Sequence, residues 1–453
     1  MLRNLLKVLV LILPFLVAHG QKSRPHGLIL ETPVIDFPYQ WQTRQLFPSM
    51  TQSLQLTKSF FQLGSYGLGS ATHFLIPDTT SEKQFLRGMT NGVLDVVFHM
   101  ATLTVPVGHG WIHEEYHAIV GRKNGVHGKN LVNRFPSITS EFITVYDVED
   151  QALITMKLNS NADFVRMSAA GLEGQTDLST HLQVDQFFYK TNKALAQYWI
   201  IAFHNNRYIG SAAFNQITLD EDEETNEDVT RRDLVGWDPL AWVYDLFHPD
   251  EPYENRGPHP SGVGIDRYIV TDDLEEHELD YLQKQSRLAT LNYLDPFLLG
   301  FTRFQVGKKA NPFFFNANVK HFLTSFGHSI QTQLFLERGG LRGLFKVLHF
   351  ANYERSFIGF EARLLDLDGK LWQKDVLISP KLSLWSQPKN QEFQTTAPRF
   401  GGLLGLKLFF PLANKLWTTF EVESKTEGWV ASNPYLDANT SGRIGIHWRL
   451  DPN

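Results

Sequence analysis

The chain has 453 residues, a formal net charge of −6 and no cysteine. The mild charge gives no argument for nucleic acid, and the missing cysteine excludes disulfides, thiolate catalysis and cysteine-ligated zinc, so any zinc here must use nitrogen and oxygen donors. Aromatic residues make up 13 % of the chain, high for an ordinary soluble enzyme, and the length allows two domains or one large one.

The first twenty residues read as a secretory signal: Arg3 and Lys7 are basic, residues 8–17 are apolar, and Ala18-His19-Gly20 offers small residues for cleavage. An uncleaved anchor is the other reading, against which the apolar run is short. Residues 21–58 are polar and proline-rich and predict an extended lead-in with little structure of its own. Residues 59–76 hold Phe60, Phe61, Tyr66 and three glycines, a pattern for a hairpin or a packed loop.

Ser81 is a candidate N-cap for a helix running to about Thr104, where Pro106 should end or kink it. A second helix then runs to about Gly121. Residues 92–112 carry Asp95 as their only formal charge, almost enough apolar length to span a bilayer. Pro106, Gly108 and Gly110 favour a buried core helix instead. Residues 142–146 and 152–156, rich in β-branched and aromatic side chains, predict two strands joined by an acidic turn. In Ser168-Ala169-Ala170-Gly171-Leu172-Glu173-Gly174-Gln175, small residues let the backbone approach something closely, and Glu173 stands at the head of a helix reaching about Tyr189. Further helices are expected over 193–203, 237–248 and 273–291, with Asp238 and Asp245 capping and solvating theirs. The acidic run 220–228 reads as a solvated loop.

Near residue 311 helical spacing gives way to segments of about ten residues, rich in aromatics, Leu and Gly and separated by turns. In residues 416–423 and 443–450 the pattern alternates. Period two over many antiparallel segments means sheet, and strands of this length suit a membrane barrel. A soluble sandwich or half-barrel packed on the helical part is the alternative. The expected fold is therefore α+β: a signal over 1–20, an extended lead-in over 21–58, a mainly helical region over 59–300 and an antiparallel β-barrel or barrel-like sheet over 301–453.

The chemistry concentrates in His113-Glu114-Glu115-Tyr116-His117, of the form H-E-x-x-H. Four residues apart on a helix, His113 and His117 share a face and can offer both imidazoles to one metal ion, with Glu114 on the adjacent turn to take a proton from metal-bound water. The bland reading is two buried histidines satisfied by Glu114 and Glu115. For Glu173 it is a carboxylate favoured by a helix N-terminus.

Residues 113–117 resemble the active-site helix of the zincin metallopeptidases. The segment around Glu173 resembles the one that supplies a glutamate as third zinc ligand in the gluzincin branch. A third histidine six residues after the second would mark the metzincin form, but that position is Lys123; His127 is the other local candidate. The resemblance implies a Zn²⁺ ion held by His113, His117 and Glu173, with Glu114 as general base and a peptide or protein substrate. Arg122, His109 or Tyr116 are candidates to stabilise an oxyanion, and Asp95 and Asp177 to orient the histidines. Residues 400–450 resemble the end of a Gram-negative outer-membrane barrel, which implies outer-membrane lipid as a partner and a place in the outer membrane or at its periplasmic face. The other functional class is a non-catalytic structural or transport barrel with a helical plug or docking region and at most a structural metal. A lipid- or sugar-modifying hydrolase is a third.

Overall fold

The structure is a computed structural model that describes residues 27–450 apart from 45–46, 78, 134–143, 220 and 309. The expected signal segment, part of the expected strand at 142–146 and the C-terminal 451–453 lie outside the described residues. No described helix is long and apolar enough to cross a membrane.

The lead-in is not structureless. Leu28–Phe37 forms strand β1, and Met50–Leu75 forms a 26-residue helix, α1, that also absorbs the expected hairpin. Ser49 accepts from the Gln52 backbone N–H while the Gln52 side chain accepts from the Ser49 N–H, a capping box that starts α1. Gly64 is needed within it, because a Cβ there would overlap the Phe98 ring. Helix α2 (Ser81–Ala101) begins one residue earlier than expected, Thr80 being the cap, and α3 (His109–Lys123) carries the histidine motif.

Two strand expectations change. Val145–Tyr146 makes only a two-residue ladder with Lys129–Asn130, and the expected strand at 152–156 lies in helix α4 (Asp150–Asn159). Strand propensity yields there to tertiary contacts: Leu153 and Met156 enter the core, and Lys157 reaches Asp245 at 2.7 Å. Helix α5 (Asn161–Tyr189) starts twelve residues before Glu173, so that residue sits mid-helix rather than at a terminus. Helices α6 (Leu195–Phe214), α7 (Asp238–Phe247) and α8 (Glu276–Ala289) complete the helical part.

The remaining strands are β2 (Phe304–Val306), β3 (Phe313–Thr324), β4 (Gly327–Arg338), β5 (Leu341–Ala351), β6 (Ser356–Leu365), β7 (Leu367–Leu371), β8 (Lys374–Pro388), β9 (Pro398–Ala413), β10 (Leu416–Lys425) and β11 (Asn439–Leu450). They join β1 in one 11-stranded antiparallel sheet of order β1-β11-β10-β9-β8-β6-β5-β4-β3-β2, with β7 pairing β8. The sheet is open, which corrects the closed-barrel expectation: β1 and β2 are its two edges, with no ladder between them. The β1 edge is closed by a helix instead. Gln62 Oε1 accepts from the Ile29 N–H, Ser59 Oγ accepts from the Glu31 N–H and donates to its carbonyl, and the Gln52 amide donates to the carbonyls of Pro33 and Val34.

The sheet is also strongly curled. Arg342 on β5 and Arg449 on β11 lie five strands apart, roughly 24 Å in a flat sheet at the usual strand spacing. Yet their guanidinium carbons stand 5.1 Å and 5.3 Å from the centre of the same Tyr189 ring. The second half of α5 runs inside this curl, with the Gln333 amide donating to Thr180, Lys320 to Ser179 and Asn318 to Gln183. Apolar side chains of α5, Leu182 and Phe187 among them, share one core with Leu323, Phe335, Leu344 and Leu365 of the sheet.

Candidate metal centre

All of α3 from His109 to Arg122 is buried, although its sequence is polar on every side. Buried polar groups require partners, and each one's choice locates it. Glu115 pairs with Arg122 at 2.7 Å and accepts from Asn130. His109 contacts the amides of Gln175 and Gln197. Tyr116 donates to the Met50 carbonyl and lies 2.8 Å from Ser432 Oγ. His113 and His117 turn to Asp238, at the first turn of α7: its Oδ2 is 3.0 Å from His113 Nε2 and 3.2 Å from His117 Nε2. Asp238 does not cap its helix, whose N-cap is Trp237 with no side-chain bond.

The His117 contact fixes its chemistry. Nδ1 lies 2.5 Å from the Met167 carbonyl, which can only accept, so Nδ1 carries a proton. In the neutral ring Nε2 then presents a lone pair, and it faces a carboxylate oxygen with no hydrogen bond formed. Lone pair against carboxylate is repulsive unless a cation stands between or beside them. A proton can serve: burial pushes the His117 imidazole down, but the charge and contact of Asp238 outweigh it and hold it up at about 9. Asp238 responds in the opposite sense, its own burial overcome by the two histidines so that it stays well below the usual carboxylate range. A metal ion serves equally. The three candidate ligand atoms lie within 4.8 Å of one another, and the separations of 3.0 and 3.2 Å are close to the edge of a tetrahedron with bonds of about 2.0–2.1 Å, roughly 3.4 Å. Two imidazoles and a carboxylate suit zinc and other divalent first-row metals.

Beside the cluster is a cavity of about 40 Å³, lined also by Glu114, Tyr208 and Asp233, roomy enough for ordered water. Burial drives the Glu114 carboxyl well above its ordinary range, as the negative charges of Asp233 and Asp238 also do, against the opposing pull of His117. The Tyr208 hydroxyl accepts the Asp238 backbone N–H at 3.4 Å and stacks between His204 and Trp237.

The structure thus brings His113, His117 and Glu114 together and places Glu173 elsewhere. Arg166 holds Glu173 at 2.8 Å in a fully buried pair, and the Trp429 indole and the Ser432 N–H both donate to it. The small-residue segment around it does meet the histidine helix, but through its glycines. A Cβ on Gly171 would overlap His117 Nε2 and sit 2.6 Å from the His113 ring, and one on Gly174 would sit 2.8 Å from the Tyr116 ring. Arg122, His109 and Tyr116 do not line the cavity, and His127 is exposed. Asp95 bonds Ser65, and Asp177 bonds Ser432. Sequence reasoning passed over Asp238 and Tyr208. The signal for Asp238 was a carboxylate inside the otherwise apolar run of α7, between Trp237 and Pro239-Leu240-Ala241-Trp242. No protein family, curated protein or solved structure that the chain was compared with matches it.

Proposed function

We propose that this protein is a metal-dependent hydrolase whose ion is held by His113, His117 and Asp238. The observation that carries the reading is the buried convergence of His113, His117 and Asp238 on one point, with Glu114 on the neighbouring cavity. A divalent ion there would supply a Lewis acid and a bound water acidified toward a pKa of about 7. Glu114, one residue from a ligand and buried, is placed to accept a proton from water in the cavity and return it to a leaving group. The Tyr208 hydroxyl is the donor available to a developing oxyanion. The H-E-x-x-H resemblance favours a peptide bond as substrate, with Asp238 in the position that the gluzincin resemblance gives to Glu173.

A second reading has its own observation. A cavity of about 40 Å³ admits water but no peptide, and a structural metal needs no open coordination position. In that reading the ion clamps α3 to α7.

The test is metal content of purified protein by elemental analysis, with casein hydrolysis alongside. The proposal expects one ion per chain in wild type, loss of the ion in Asp238→Asn, and an ion retained without hydrolysis in Glu114→Gln. Glu173→Gln is the control: it should keep the ion while losing roughly 3–5 kcal/mol of stability, because Arg166 is left buried and unpaired. Wild type that carries the ion but never hydrolyses substrate supports the clamp. Wild type that binds no ion when supplied with one rejects both readings.

A further inference from the structure

We infer that the convex face of the curled sheet lies in the hydrocarbon of a lipid bilayer, with the metal centre outside one rim. This does not depend on whether the metal centre is catalytic.

The first observation is the direction of the alternation. One registered row crosses β3, β4, β5, β6, β8 and β9 as Ala317, Leu334, Phe345, Ala362, Leu382 and Leu404. Its larger members are exposed, Leu382 at 47 % and Leu404 at 67 %. The adjacent row on the same strands is Asn318, Gln333, Lys346, Glu361, Ser383 and Leu403, and it faces α5. A sheet in water buries its apolar face and wets its polar one; this sheet does the reverse. Between the end turns, the outward positions of β3–β6 and β8–β11 carry no Asp, Glu, Lys or Arg. The charges are inside and paired: Lys346 with Glu361, Lys381 with Glu423, Lys407 with Glu31, and Arg443 with Asp36 and Glu423.

The second observation is what bounds the face. Exposed charges return at the strand ends: Arg338, Lys370, Lys374 and Asp375 at one rim, Glu354, Arg355, Lys389 and Arg399 at the other. An uncharged band between two rims of mixed charge matches a hydrocarbon layer between two headgroup layers.

The third is that the β1 edge is safe in lipid. An open edge is tolerated there only where its backbone groups have partners. Side chains of α1 supply them along β1. Towards the other edge, where β3 runs past the short β2, the His321 N–H bonds Asn292. Exposed Leu63 of α1 and Phe85, Leu86 and Val97 of α2 extend the apolar surface past β1.

A second copy of the chain is the other occupant of such a face. A flat contact would cover a few strands, whereas here the apolar surface continues around a curl that encloses a helix. Inside, α5 leaves a residual cavity of about 110 Å³ between itself and the strands, so the interior is plugged. From Asp177, which bonds Ser432 beyond β10, α5 climbs six residues back to Gly171, about 9 Å, which sets the histidine pair past that rim.

The missing cysteines make the test clean. Single-cysteine variants Leu404→Cys, Leu382→Cys and Phe345→Cys report the band, Arg399→Cys and Lys374→Cys the two rims. Protein reconstituted in phosphatidylcholine vesicles is treated with a membrane-impermeant maleimide, then labelled with a fluorophore and quenched by spin-labelled lipid. The proposal expects band positions to react at least an order of magnitude more slowly than rim positions, and to be quenched by probes deep in the acyl chains. Band positions that react as fast as the rims in vesicles overturn it. So does a monodisperse dimer in lipid-free buffer that protects the band while vesicles bind no protein, which would assign the face to a second copy.

Discussion

Gly171 shows how one atom's absence shapes the cluster of His113, His117 and Asp238. Its α5 backbone presses on both imidazoles, and no Cβ fits between them. Gly171→Ala must therefore push α5 from α3 or rotate the rings, and overpacking of this kind costs typically about 1–3 kcal/mol. Because the strain falls on the proposed ligands, the larger effect should be on metal: the rise in melting temperature that the proposal expects zinc to give wild type should vanish in the variant. The measurement is thermal unfolding with zinc and with chelator. A variant that melts lower but keeps the full zinc-dependent rise would show that the glycine serves helix packing alone. The same residue explains what the sequence could and could not say about the site. A run of small side chains states that something approaches closely, and the H-E-x-x-H spacing states that two imidazoles share a face. Neither names the third ligand. Glu173 lies in the closely packed segment, yet Arg166, seven residues earlier on the same helix, takes its carboxylate. Asp238 comes from 121 positions beyond His117, and only the packing of α7 on α5 and α8 brings it to the two histidines.

At the scale of elements, the strands from β3 onward other than the short β7 were legible because alternation and turn residues are local signals. Helices α7 and α8 were legible from their composition, although Asp238 does not cap α7 as expected. What failed were elements whose identity depends on a partner. Residues 152–156 have strand propensity, but the docking of Leu153, Met156 and Lys157 makes them helix. Residues 59–76 contain glycines that read as breakers until Phe98 is seen occupying the space beside Gly64. Strand β1 looked like a lead-in because its ladder partner β11 lies some four hundred residues away, pairing Leu28 with Leu450. The β1–α1 seam is itself testable. Gln62 links the Ile29 N–H to the Asp185 carboxylate, so Gln62→Leu leaves a buried donor without its acceptor, worth about 1–3 kcal/mol. Amide exchange at residues 28–31 should accelerate while exchange in β5 and β6 stays as in wild type. Equal acceleration across the sheet would mean that the seam has no local stability of its own.

For the whole molecule, contacts tie the sheet beyond residue 301 to the chain that precedes it. The sheet borrows β1 from the start of the described chain, and Glu31 and Asp36 on that strand are ion-pair partners of Lys407 and Arg443. Helix α5 fills the space that the strands enclose, supplying Thr180, Gln183 and Ser179 to their polar inner face. A fragment holding residues 301–450 alone would lose Glu31 and Asp36, the partners of Lys407 and Arg443. It would also lose the partner of Lys320, which is Asp295 at 2.6 Å. Charges left unpaired in this way cost several kcal/mol each, against a total stability for most proteins of about 5–15 kcal/mol. The fragment is therefore expected to show no cooperative thermal transition in lipid or detergent, while the chain from residue 27 onward melts in a single one. Adding a separately expressed piece of residues 27–300 should restore the transition, since β1 and α5 both lie in it. Cooperative melting of the isolated fragment would show instead that the strands hold their curl without the helix, and that α5 is a later guest in a sheet able to stand by itself.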